Sequence, residues 1–256
     1  MAKRSDHEDA EIIEQGDIFF FYRPKVEEHE PDGIEDVQRF HIVLRPEGGE
    51  PIRLMTIGRK RLPDVDDHER VWGFVDKVAR SAKEIEAELR EKRYRTKTRG
   101  ERTRPAARPA GEGVYALVRD EHKLFLAYEL ELPREPGGAV QRELNIPRAA
   151  SFALSIKNPE KGAPANVGLR AEDEARYPKR LQQEFRGRRF ATEDVHLLDY
   201  NGAEFVLVGA RLDPERELGV DLEAEAERGE TADLVRKLRI KRGEHPIEPL
   251  LEGEWR

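Results

Sequence analysis

The residues best equipped for chemistry lie between Arg90 and Arg108. Nine cations (Arg90, Lys92, Arg93, Arg95, Lys97, Arg99, Arg102, Arg104 and Arg108) share this stretch with two acids, Glu91 and Glu101. It therefore carries +7 in a chain whose net charge is −7, leaving −14 for the remainder. A guanidinium grips phosphate with two parallel hydrogen bonds, and a lysine adds a compact positive charge. Tyr94, placed among them, offers a ring on which a nucleic-acid base can stack. The first few cations need no ligand, because a helix C-terminus attracts positive charge by roughly 0.3–1 kcal/mol apiece. Arg95, Lys97, Arg99, Arg102, Arg104 and Arg108 lie beyond that explanation and form the candidate polyanion-binding set.

A second basic cluster comprises Lys179, Arg180, Arg186, Arg188 and Arg189, with Phe185 and Phe190 interleaved. Arg186, Arg188 and Arg189 join the candidate set. A third comprises Arg236, Lys237, Arg239, Lys241 and Arg242, at the end of an expected helix whose dipole already favours cations.

Other chemistry leaves fainter marks. There is no cysteine, which excludes disulfides, thiolate metal sites and cysteine nucleophiles. The seven histidines include no pair at three- or four-residue spacing, so they form no visible metal-ligand set. Glu121-His-Lys123 has the carboxylate-x-lysine spacing of magnesium-dependent nucleases, with Asp64 as a companion acid. Glu121 falls at an expected hairpin tip, where rigid metal geometry is hard to hold. Gly111-Glu-Gly113-Val-Tyr-Ala116 matches a dinucleotide fingerprint in letters only. Its glycines follow prolines and precede a strand, where the fingerprint needs a strand followed by a helix. No cofactor is implied.

The elements that must position these residues read as hairpins and helices. Asp17–Tyr22 suits a strand buried on both faces, since three consecutive phenylalanines cannot share one. Val37–Arg45 and Ile52–Ile57 make one hairpin, and Val114–Arg119 with Leu124–Leu132 another. Ser151–Ile156 is a further strand. Asn201-Gly202 between apolar runs predicts a hairpin with a type I′ turn joining 196–200 to 203–208. Val71, Val75, Val78, Ala82, Ile85 and Leu89 recur at helical steps and predict a long amphipathic helix from about Asp66. Short helices are expected at Pro178–Phe185 and Thr231–Arg242, the latter capped by Thr231 and closed by Gly243. The fold expected is α+β: mainly antiparallel sheet built from hairpins, one long helix and one or two short ones.

Three regions follow: 1–92, β-rich and ending in the long helix; 93–112, an arginine-rich linker or exposed excursion; and 113–256, α+β and compatible with sharing the first region's core. No motif identifies a characterised family. No secretory signal or span of roughly 18 apolar residues occurs, so a cytoplasmic protein is expected.

The leading functional expectation is a non-catalytic binding protein that contacts a polyanion, nucleic acid first, through Arg90–Arg108. A second is a structural or regulatory protein whose basic segment meets acidic protein surface, including that of a homo-oligomer. A third is a metal-dependent enzyme whose site is assembled from distant residues.

Overall fold

The computed structural model describes residues 10–98, 100–164, 167–219, 222, 233–241 and 243–256. Arg99, Thr231 and Arg242 lie outside the described residues. The described residues form eleven strands: β1 (Glu11–Pro24), β2 (Val37–Pro46), β3 (Ile52–Ile57), β4 (Arg70–Ala79), β5 (Lys92–Thr96), β6 (Gly100–Arg104), β7 (Arg108–Asp120), β8 (Lys123–Leu132), β9 (Ala149–Lys157), β10 (Phe190–Ala191) and β11 (Glu204–Arg211). Eight of them close into an antiparallel barrel in the order β1-β2-β3-β4-β11-β9-β8-β7, with β7 returning to β1. β10 pairs with β9 at the edge, and β5–β6 form a separate two-stranded ribbon.

The barrel replaces the expected α+β fold. Its described helices are short: α1 (Ala82–Leu89), α2 (Ala139–Glu143), α3 (Lys179–Glu184), α4 (Pro214–Leu218), α5 (Asp233–Arg236) and α6 (Glu248–Leu251). None is long and apolar enough to cross a membrane. The long helix is corrected to strand β4 followed by the single short helix α1. Val71, Gly73 and Val75 alternate towards the interior, so a period of two also ran through this β-branched segment. Gly73 is decisive, because a Cβ there would stand 2.5 Å from the Phe205 ring and 2.8 Å from the Thr56 carbonyl.

The Asn-Gly hairpin is also corrected. Val195–Leu198 is a 3₁₀ turn that pairs with no strand among the described residues, and only Gly202 of the two turn residues adopts positive φ. Gly113, part of the apparent dinucleotide fingerprint, lies inside β7. A Cβ there would be 2.0 Å from the Glu129 carbonyl, so glycine permits close approach to β8. Lys179–Glu184 is helical with Pro178 at its N-cap, whereas α5 ends at Arg236.

Inside the barrel, alternate residues of every strand pack together. Phe20 stacks on Phe40 at 6.2 Å and meets Tyr128 edge-on at 5.0 Å. Phe19 and Phe21 point outward, yet both are buried. α1 (Ile85, Leu89) and the C-terminal segment (Leu234, Leu238, Leu250) cover that outer face. β1 is thus an apolar run because it is covered on both sides.

Candidate anion-binding site

The apolar outer face of β1–β2–β3 gives way, at one end, to a polar one. In-and-out alternation turns Arg23, Arg39, His41 and Thr56 outward here, and the register sets Arg23 directly opposite Arg39. Like charges facing each other across a strand pair are destabilising unless something offsets them. Arg39 reaches Asp76 at 3.4 Å. Arg23, only 3 % exposed, has no carboxylate partner among the described residues. Its Nη1 donates to the Pro105 carbonyl at 2.5 Å, and its Nη2 to the Glu88 carbonyl at 2.7 Å.

Those carbonyls flank the ribbon, one ahead of β5 and one just after β6. Arg23 therefore pegs both feet of the ribbon to the barrel, while a hydrogen bond from Ala107 N to the Leu89 carbonyl closes its base. The turn at Glu27 holds its side: Glu27 N donates to the Thr103 carbonyl, and Thr103 N donates back to the Glu27 carboxylate.

Within the ribbon, Lys92 lies opposite Arg104 and Tyr94 opposite Arg102. Cross-strand partners share a face, so these four form one side, and Arg93 and Arg95 belong to the other. A recess of about 600 Å³ opens beneath, lined by Arg23, Arg39, Lys92, Arg93, Tyr94 and Arg104 among others. Glu88 is the acid in its wall, already held by Lys92 at 2.9 Å. Arg104 has no ion pair among the described residues, and its buried Nε has no hydrogen-bond partner.

The site's field is felt by its own members. Burial, then Arg104 and Arg39, lower the pKa of Arg23 to about 9. Burial, then Arg23, Arg39 and Arg104, hold His41 well below the usual histidine value. Its Nδ1 meets Thr56 Oγ1 at 3.0 Å, and its buried Nε2 has no partner among the described residues. His245 is similar: it is fully buried, with Nδ1 donating to the Ala107 carbonyl at 2.7 Å, and burial lowers its pKa. Both rings hold a proton less tightly folded than unfolded, so below about pH 6.5 unfolding takes up protons. The stability they contribute is therefore present above the unfolded pKa of about 6.5 and is lost as pH falls below it. Urea unfolding is expected to show stability falling as pH drops below about 6.5, at most about 1.4 kcal/mol per pH unit from His41. His41→Gln should remove its share; an unchanged slope in that variant would contradict a buried neutral ring.

The other candidate residues separate. Arg95 and Lys97 are exposed on the ribbon and make no ion pair among the described residues. Arg102 approaches Glu27 at 3.7 Å. Arg108 leaves the ribbon: it is 6 % exposed, opposite Tyr22, and donates to the His29 carbonyl at 2.7 Å. Arg186 and Arg188 both meet Glu193, at 3.3 and 3.5 Å, and Arg189 lies beside them just before β10. β10 pairs with β9, which stands across the barrel from β2, so this cluster does not converge with the ribbon. In the third cluster, Lys237 reaches Asp17 at 2.5 Å and also Asp233, and Lys241 reaches Glu244 at 2.9 Å.

No family model, curated protein or solved structure matches this chain. The functional reading accordingly rests on the distribution of paired and unpaired charge. A recess of about 690 Å³ beside Asp17, Arg45 and Lys237 shows the contrast, since its cations Arg45 and Lys237 are bound to Asp17 and Arg236 to Asp233.

Two buried ionic clusters escape sequence reasoning. Arg53, 1 % exposed inside one end of the barrel, grips Glu14 with Nη1 and Nη2 at 2.5 and 2.9 Å, and Asp199 with Nε at 2.7 Å. Tyr115 donates its hydroxyl to Glu14 at 2.6 Å, and burial followed by the Glu14 charge raises its pKa far above the usual phenol value. Lys157 is likewise enclosed by Glu204 at 2.7 Å and Glu174 at 2.9 Å. Both cations are saturated by carboxylates, which suits support of the barrel wall. Among the described residues no group of three or more His, Asp or Glu could hold a metal ion. Glu121 sits in the β7–β8 turn at positive φ.

Proposed function

We propose that this protein binds a polyanion, nucleic acid in particular, through the β5–β6 ribbon and the recess beneath it. The observation that carries the reading is an imbalance of charge. Arg95, Lys97 and Arg104 have no ion-pair partner among the described residues, and Arg23 adds a buried cation without a carboxylate. Many cations elsewhere are paired within the fold. Phosphates would supply the missing negative charge and release counterions as they bind. A cytoplasmic setting agrees with such a ligand.

One observation favours a second reading. The chain outside Arg90–Arg108 totals −14, so the ribbon could equally meet acidic protein, including another copy of this chain. That reading predicts a homodimer that dissociates in high salt and has no affinity for nucleic acid.

Fluorescence anisotropy with mixed-sequence DNA and RNA at about 50 mM salt separates the two, with nucleic-acid binding expected at micromolar strength or better. Arg95→Glu combined with Lys97→Glu should weaken binding by about tenfold or more, because each phosphate contact is charge-assisted. No binding at that salt, or indifference to the double reversal, would sink the proposal.

A further inference from the structure

We propose that the recess takes an unpaired nucleotide, its base against Tyr94 and its phosphate among Arg39, Lys92 and Arg104, so that the preferred ligand is single-stranded. This rests on the polyanion reading and narrows it. A basic ribbon alone would serve double-stranded DNA equally well, since a two-stranded ribbon fits the major groove. Tyr94 argues otherwise. It shares one side of the ribbon with Lys92 and Arg104, and all three line the recess.

Its ring is 42 % exposed and stacks on no other ring among the described residues. Its hydroxyl makes no hydrogen bond among them. A large aromatic half in water has no packing role that explains its place, whereas a base offers it a π-face. Paired bases inside a duplex have both faces covered by their neighbours and could not reach it. The recess, at about 600 Å³, also lies within the range of small-ligand pockets, roughly 300–1,000 Å³. A phosphate there would meet Arg104, which has no ion pair among the described residues, and would share Arg39 with Asp76 and Lys92 with Glu88. Burial is the main cause that depresses Arg23 and His41, and the further lowering by Arg39 and Arg104 places positive potential at the same spot.

The test compares a labelled 12-nucleotide single strand, its duplex, and the same strand with abasic residues, by anisotropy at constant salt. The intact single strand should bind roughly tenfold or more tightly than the abasic strand, which keeps every phosphate but has no base to stack. It should also exceed the duplex. Tyr94→Ala should abolish the difference between intact and abasic strands, and Tyr94→Phe should keep it. The abasic comparison leaves the protein unaltered, so it stands even if a variant folds poorly. Equal binding of intact and abasic strands, or of strand and duplex, overturns the inference and leaves the polyanion reading in place. Absence of binding to all three overturns both.

Discussion

Arg53→Met is expected to lower the stability of the protein by about 3–5 kcal/mol, the cost of removing one partner from a buried ionic network. The guanidinium holds Glu14 and Asp199 from the centre of the cluster, with Tyr115 bonded to the same Glu14. Once it is gone, two carboxylates share one end of the barrel without a cation. The methionine fills much of the volume, so the loss is chiefly electrostatic and not that of a cavity. Combining Arg53→Met with Glu14→Gln and Asp199→Asn should recover a large part of the deficit, because the network would then be neutral. Urea unfolding reads both effects. A loss below about 1 kcal/mol in the single variant would mean that water, not Arg53, satisfies these carboxylates.

How far such features could be read in advance depended on the distance between partners. The β2–β3 and β7–β8 hairpins were visible because strand and turn are contiguous. The two buried faces of β1 followed from three consecutive phenylalanines. β4 was misread because valines at 71 and 75 satisfy a helical step and a strand alternation at once, and a bulge at residue 76 returns Val78 to the same face. Gly73 was the signal against the helix, since an apolar stripe gives no reason for a glycine within it. Two of the barrel's pairings, β1 against β7 and β4 against β11, join strands far apart in the chain, which no local periodicity records.

The site divides in the same way. The surplus of arginine in Arg90–Arg108 was plain from composition, but its folding into a ribbon was not, because a strand polar on both faces has no apolar alternation. KRYRT and GERTR become strands by pairing with each other, with Gly100 at positive φ where β6 begins. Arg23, Arg39 and His41 were not assigned to the site because the register between β1 and β2, not their spacing, sets them together. Arg108 belonged to the candidate set by sequence and departs from it in space, bonded to the loop at His29. Arg186 and Arg188 look like a second patch until Glu193 is placed between them.

The largest expected effect on binding comes from reversing three exposed ribbon cations together, Arg93→Glu, Arg95→Glu and Lys97→Glu. None is buried, so the fold should be retained. A single strand touching about six cations gives a slope of log K against log salt near −4, or a loss of roughly 300-fold between 50 and 200 mM. Removing three of those contacts should bring the slope to about −2 and weaken binding at low salt by orders of magnitude.

That slope, measured by anisotropy on wild type and the triple variant side by side, is the most direct test of the central claim. A steep wild-type slope made shallow by the reversal is the predicted result. A wild-type protein that fails to bind, or a slope the reversal leaves unchanged, would contradict the ribbon as the nucleic-acid contact.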